Sequence, residues 1–260
     1  MIKVKKLKLC LHYFVILLTL AMFLSCSPRT YKKINTESTL FNIKDSLATN
    51  NKLEVFIAPY RNHITKDLDS VLAYNTITQD KSKGRWESNI GNLLASATLT
   101  LSAPIFKSRE NKQIDFCMLN HGGIRSIIPA GNITTRTAFE IMPFENSVII
   151  IGLTGLEVKE LALYLLNEKK AHPLAGITIF TNPDFTEIKR IEINNVEIID
   201  KQIYYVATSD YLATGGDRMT FFKNSTIKYD LDYKLRNLFI DYFKLVIEIP
   251  NITTKHIITE

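Results

Sequence analysis

The first pattern along the chain is a nearly unbroken apolar run from Leu9 to Leu24, which contains His12 and is preceded by Lys3, Lys5, Lys6 and Lys8. A basic start followed by such a stretch reads as a secretory signal. At sixteen residues the run falls short of the ~20 apolar residues of a spanning helix, and an uncleaved N-terminal anchor is the alternative reading. Residues 27–51 are polar and weakly patterned, which suits a tether. The fold is expected to begin at Lys52. There Val55 and Ile57 suggest a short extended entry, and Ile64, Leu68, Val71 and Leu72 a helix with one face on a core.

Beyond a polar break at Asp80–Gly84, Ile90, Leu93, Leu94 and Ala97 recur at helical spacing. They predict a half-buried helix over Glu87–Leu101, ended by Ala103-Pro104. The centre then alternates buried extended runs with turn signals: Ile114–Leu119, Gly122-Gly123, Ile127-Ile128 before Pro129-Ala130-Gly131, and Val148–Leu153. Such punctuation predicts strands. Thr154 is placed to cap a helix through Leu156, Val158, Leu161, Leu165 and Leu166, with Glu157 and Glu160 at its positive end. Four further strands are expected at Ile177–Phe180, Ile188–Ile193, Val196–Ile199 and Ile203–Thr208, with Asn194-Asn195 as a hairpin turn. A last helix is expected over Asp230–Leu245. No period of 20 to 50 residues repeats, which excludes solenoids and propellers. The fold class is α/β or α+β: one domain over residues 52–260, a layered mixed sheet with flanking helices.

Composition narrows the class without changing it. With 46% apolar and 22% charged residues the chain is an ordinary globular one, and ten glycines, eight prolines and three cysteines exclude a low-complexity linker or a disulfide scaffold. The formal charge of +6 would suggest an anionic partner, but the four N-terminal lysines account for the excess over +2. That remainder is too small for nucleic acid, and no nucleic-acid partner is expected. Phe23-Leu24-Ser25-Cys26 resembles a bacterial lipobox, in which the cysteine is lipidated and becomes the new N-terminus. The resemblance implies a signal peptide over residues 1–25, a lipid on Cys26, a tether over 26–51, and a place in the bacterial cell envelope, lipid-anchored to the membrane and facing the periplasm or the outside. Cys117 sits in an apolar run and reads as a small buried hydrophobe.

Neither a metal site nor a nucleophile is expected. His63, His121, His172 and His256 are scattered singly, with no His-x-His or HExxH pattern, and neither a G-x-S-x-G elbow nor a phosphate-cradling GxxxxGK[ST] occurs. Two segments look like binding loops after strands: Asn120-His121-Gly122-Gly123-Ile124-Arg125 and Asp210-Tyr211-Leu212-Ala213-Thr214-Gly215-Gly216-Asp217. Taken singly, each Gly-Gly reads as a turn. Together with Met142-Pro143-Phe144 they supply two flat faces, an amide, a guanidinium and a carboxylate, contacts on the scale of a nucleoside.

The segments NHGGIR, GNIT, MPFENSV running into LTG, and YYVATSDYLATGGD, with ESNIGNLL before them, stand in the order and approximate spacing of the C-terminal domain of 5′-nucleotidases and UDP-sugar hydrolases. The resemblance spans about residues 50–250. In that family this domain holds the nucleotide base between two aromatic rings, while an N-terminal metallophosphoesterase domain hydrolyses the phosphate. The resemblance implies that Phe144 and Tyr211 sandwich the base, Asn120 bonds the base or its neighbourhood, Arg125 meets the phosphate or ribose side, and Asp217 accepts the ribose hydroxyls. Gly122 and Gly123 shape the loop. Arg85 matches a further phosphate-contacting arginine if the alignment does not slip by one residue at Gly84.

Two departures bear on this. Tyr211 stands where the family often has phenylalanine, which keeps the stacking face and adds a hydroxyl; Arg218 stands where a glycine is common, beside the pocket or turned to solvent. The metal-binding half of the family is absent from these 260 residues. The chain by itself is therefore expected not to hydrolyse phosphate esters and to carry no cofactor, with divalent metals on a separate metallophosphoesterase partner. The implied role is the nucleoside- or nucleotide-binding half of an exported 5′-nucleotidase-type phosphohydrolase in nucleotide catabolism. The alternatives are a non-catalytic binding lipoprotein for uptake or sensing, and a degenerate domain kept for scaffolding.

Overall fold

The computed structural model describes residues 2–24, 31–44 and 47–260. Cys26 and its lipobox neighbour Ser25 lie outside the described residues. The chain divides into two compact units, residues 1–51 and 52–260. In the first, helix α1 (Ile2–Leu24) contains the apolar run, and residues 31–44 are exposed without regular structure. Among the described residues no helix is long and apolar enough to cross a membrane.

The second unit opens differently from the expectation. Helix α2 (Asn51–Leu68) takes in Val55 and Ile57, which were expected to be extended, and has no buried residue, so it presents no face to a core. Val71 and Leu72 belong instead to strand β1 (Val71–Asn75), paired antiparallel with β3 (Gly131–Thr134). The break falls at Asp69-Ser70, where the Ser70 hydroxyl donates to the Asp67 carbonyl (2.8 Å) and the Ser70 carbonyl accepts from the Thr135 N–H (3.2 Å). A serine that satisfies a local carbonyl competes with continuation of the helix.

Helix α3 (Asn89–Glu110) starts where Ser88 accepts from the Gly91 N–H (3.1 Å) and runs through Pro104 to Asn111, which closes it in the left-handed region (φ 54°). The expected stop at Pro104 does not occur. Thr100, whose carbonyl Pro104 leaves without a donor, is exposed, as is Pro104 itself, so water can satisfy the freed group.

The central sheet orders as β10-β4-β9-β2-β5, with β2 (Phe116–Met118), β4 (Ser147–Thr154), β5 (Leu174–Ala175), β9 (Ile203–Ser209) and β10 (Lys228–Lys234). Its strands alternate between two cores. Cys117, Val148, Ile150 and Ala207 pack with α3 and with α8 (Leu235–Leu245). Phe116, Met118, Ile149, Ile151 and Val206 pack with α5 (Gly155–Glu168) and with β6 (Ile177–Thr181) and β7 (Ile188–Ile193) of a second sheet. A strand covered on both faces reads as continuously apolar, as Val148–Leu153 does. The second sheet orders as β11-β6-β7-β8, with β8 (Val196–Glu197) and β11 (Ile257–Thr259). Asn194 and Asn195, at φ 52° and 63°, make the β7–β8 turn in the conformation that two-residue hairpins favour.

Thr154 caps α5 as expected. Its side chain accepts from the Glu157 N–H (3.3 Å), and Glu157 Oε2 accepts from the Thr154 N–H (2.7 Å), a reciprocal pair that satisfies two orphan donors. The expected helix over Asp230–Leu245 is split. Lys228–Lys234 form the edge strand β10, in which only Leu231 is buried, and the helix begins at Leu235.

Candidate functional site

Strand direction assembles the site. Strands β2 and β9 run parallel and adjacent, whereas β4 is antiparallel to β9. The chain therefore leaves β2, leaves β9 and enters β4 at one end of the sheet. Asn120–Arg125, Tyr211–Asp217 and Phe144–Asn146 meet there around a cavity of about 660 Å³, lined by Asn120, Gly122, Gly123, Arg125, Phe144, Tyr211 and Asp217, with Glu145 and Asn146. A cavity of this size fits a small ligand. Seven of the eight expected ligand-contacting residues share it.

Arg85 is the eighth and is placed elsewhere. Its guanidinium lies over the rings of Trp86 (4.9 Å) and Phe185 (5.2 Å) and does not line the cavity. Trp86, which follows it, is buried at 5% exposure and carries Arg85 onto that stack.

The loop after β2 is a single 3-10 turn over His121–Gly123. A Cβ on Gly123 would fall 2.8 Å from Asn120 Oδ1, so glycine is what lets the amide fold back. Asn120 Nδ2 donates to Asp217 Oδ2 (2.8 Å) and ties this loop to the one after β9. The Arg125 N–H donates to the Ile141 carbonyl (2.9 Å), and its guanidinium stands 5.8 Å from the centre of the Phe144 ring. Beneath the turn, Lys81 Nζ donates to the carbonyls of His121 and Ile124. Burial, and then the nearby Arg125 charge, hold its ammonium below the ordinary lysine range. Sequence reasoning missed this lysine, whose one signal is its position in the polar break Asp80–Gly84.

The loop after β9 begins with the short helix α6 (Asp210–Ala213) and turns at Gly215, whose φ of 96° suits glycine. Asp217 and Arg218 follow in the left-handed region, at φ 52° and 64°. Three side chains hold Asp217: Tyr211 Oη donates to Oδ1 (2.9 Å), Asn120 holds Oδ2, and Tyr164 Oη donates to the backbone carbonyl (2.9 Å). Burial raises the Tyr164 phenol to about 12, with Glu168 and Asp217 adding to the effect, so it remains a donor. Arg218 turns away from the cavity and pairs with Glu168 (2.7 Å), with its side chain 83% exposed.

The third wall is braced from below. Arg236, on α8, donates to the Pro143 carbonyl (3.2 Å), pairs with Glu145 and stacks 4.1 Å over Phe139. Asn146 Nδ2 donates to Asp210 Oδ1 (2.6 Å) and joins this wall to the β9 loop. Phe144 and Tyr211 remain 42% and 45% exposed, which leaves aromatic surface for a flat ligand. Among the described residues no group of three His, Cys, Asp or Glu side chains converges as a metal site. Cys117 is buried, and burial pushes its thiol above the ordinary value.

The model of the 5′-nucleotidase C-terminal domain family matches residues 66–224, a stretch that contains every residue of this cavity. The chain belongs to that family. Within it, the nucleotidase C-terminal domain described here is 32% identical over 171 residues to the trifunctional nucleotide phosphoesterase protein YfkN of Bacillus subtilis, covering 61% of this chain and 11% of the relative. It is 25% identical over 196 residues to protein UshA of Escherichia coli, covering 72% of this chain and 33% of UshA. The chain thus spans a third or less of the length of these curated relatives. The crystal structure of a 5′-nucleotidase precursor from Thermus thermophilus shares the fold at a TM-score of 0.65 and 23% identity, over 79% of this chain and 42% of that one.

Proposed function

We propose that this nucleotidase C-terminal domain binds nucleosides or nucleotides and serves as the substrate-binding half of an exported phosphohydrolase, with a separate metallophosphoesterase supplying the divalent metals and the hydrolytic step. The single observation that carries the reading is the convergence of Phe144, Tyr211, Asn120, Arg125 and Asp217 on one cavity. Two aromatic surfaces suit a base, a guanidinium suits an anionic or polar group on the sugar side, and a carboxylate accepts hydrogen bonds from hydroxyls. The names of the relatives, a nucleotide phosphoesterase among them, support the same substrate class. The signal-like N-terminus and the lipobox resemblance at Cys26 support a lipid-anchored place in the cell envelope.

Calorimetric titration of the full chain in detergent with adenosine, AMP, ATP and a UDP-sugar tests the reading. Base–aromatic stacking contributes about 1–3 kcal/mol, so the double variant F144A/Y211A should bind at least about tenfold more weakly. Equal affinity in that variant would sink the assignment. Mixing with a metallophosphoesterase encoded nearby should raise phosphate release above that enzyme's own rate. If the rate stays the same, the non-catalytic binding role replaces the split enzyme. Phosphate release by the homogeneous chain alone would overturn the division of labour.

A further inference from the structure

We propose that the Tyr211 hydroxyl is a specificity-determining positioning group, which fixes the Asp217 carboxylate so that it receives a pair of neighbouring hydroxyls on the ligand. The inference rests on the nucleoside-binding reading above.

The phenol and the aspartate are joined twice. Tyr211 Oη donates to Asp217 Oδ1 at 2.9 Å and accepts from the Asp217 backbone N–H at 3.2 Å. One hydroxyl therefore locks both the left-handed backbone of Asp217 and its side chain. The contact also depends on Gly216. A Cβ there would lie 2.5 Å from the Tyr211 ring, closer than atoms approach, so the ring reaches Asp217 across a glycine that leaves it room.

An ionised carboxylate offers about four lone-pair sites, two on each oxygen. Tyr211 occupies one on Oδ1, and Asn120 Nδ2, at 2.8 Å, one on Oδ2. One acceptor site is left on each oxygen of a carboxylate that lines the cavity. Two acceptors on adjacent oxygens match a vicinal diol, and a single hydroxyl would engage only one of them. A phenylalanine at this position would keep the stacking face and leave Oδ1 untethered, free to rotate out of register.

The test compares adenosine with 2′,3′-dideoxyadenosine, which lacks the diol, on the full chain carrying Tyr211→Phe. With Oδ1 released from its tether one of the two hydroxyl contacts is weakened, so the adenosine affinity should fall about tenfold while that for the dideoxynucleoside stays within about twofold. The ratio of the two affinities separates positioning from a general loss of fold, which would weaken both ligands alike. Gly216→Ala, which displaces the ring and keeps the hydroxyl, should lower the same ratio. A Tyr211→Phe variant whose ratio is unchanged or higher refutes the inference while leaving the nucleoside reading intact. A wild-type chain that binds no adenosine refutes both.

Discussion

Replacing His172 with glutamine should flatten the acid limb of the stability profile, by an amount that follows from the surroundings of the ring. His172 is 3% exposed; burial, and then the neighbouring His121, lower its pKa from 6.5 to about 4, against the opposing pull of Asp217, the Leu119 backbone and Glu168. The His121 N–H donates to His172 Nδ1 (3.3 Å), so the neutral ring carries its proton on Nε2, a buried atom with no partner among the described residues. Above pH 6.5 the ring is neutral in both the folded and unfolded states, and the fold has its full stability. As the pH falls through that value the unfolded chain takes up a proton that the native state refuses until about pH 4. Stability drops over that window by about 1.4 kcal/mol per pH unit. The loss is about 2 kcal/mol at pH 5 and levels off near 3 kcal/mol. His256, also lowered by burial, and Asp115, raised by it, titrate alike in both proteins and cancel in the difference. Urea unfolding of wild type and H172Q at several pH values between 7 and 4.5 should show the gap between them narrowing by about 2 kcal/mol by pH 5. Parallel profiles would mean that the ring takes up its proton as readily in the native state as in the unfolded chain, and the reasoning would be wrong.

Two substitutions probe the supports of the cavity. Arg236→Met keeps the buried stem and removes the fork that holds Pro143 and Glu145, so it should lower stability by about 1–3 kcal/mol and weaken adenosine binding through Phe144; unchanged binding would show that the wall stands without the arginine. Arg218→Gly relieves a left-handed backbone at φ 64° and gives up an exposed ion pair of about 0–1 kcal/mol. Its melting temperature should hold or rise with ligand affinity unchanged, and a clear drop would show that the pair with Glu168 outweighs the strain.

The sequence was most legible where one local rule met no competitor. Thr154 and Glu157 form the reciprocal cap that their spacing implies, and Asn194-Asn195 turn the hairpin in the left-handed region. The fully apolar run Val148–Leu153 is a strand covered on both faces. Errors arose where periodicity had to choose between neighbours. Ile64, Leu68, Val71 and Leu72 fit one helical face on paper, but Ser70 ends the helix and the last two belong to β1, where Val71 pairs with Thr134 of β3 and Leu72 falls at a break in the register. In Lys228–Lys234 the charged residues of an edge strand look like the solvated start of a helix, because an edge strand buries little, here only Leu231.

At the site, the loops were legible from their glycines and the flat residues from their type. Their convergence was not, because it depends on β4 running against β9. Lys81 and Arg236 were invisible for a related reason. Each acts on backbone carbonyls far along the chain, His121 and Ile124 for one and Pro143 for the other, and a carbonyl leaves no mark in sequence.

The strand order has a consequence for how the molecule comes into being. Strands β2 and β4 do not pair with each other; β9, made some 50 residues after β4 ends, lies between them. Until Ile203–Ser209 arrive, β2 therefore has only β5 beside it, and β4 has neither of its neighbours, because β9 and β10 both follow it in the chain. Such late, distant pairing slows folding and leaves edges available to wrong partners. The same closing strand leads directly into Tyr211 and Asp217, so the ability to hold a ligand is acquired in the step that seals the sheet. A chain arrested before that step has neither.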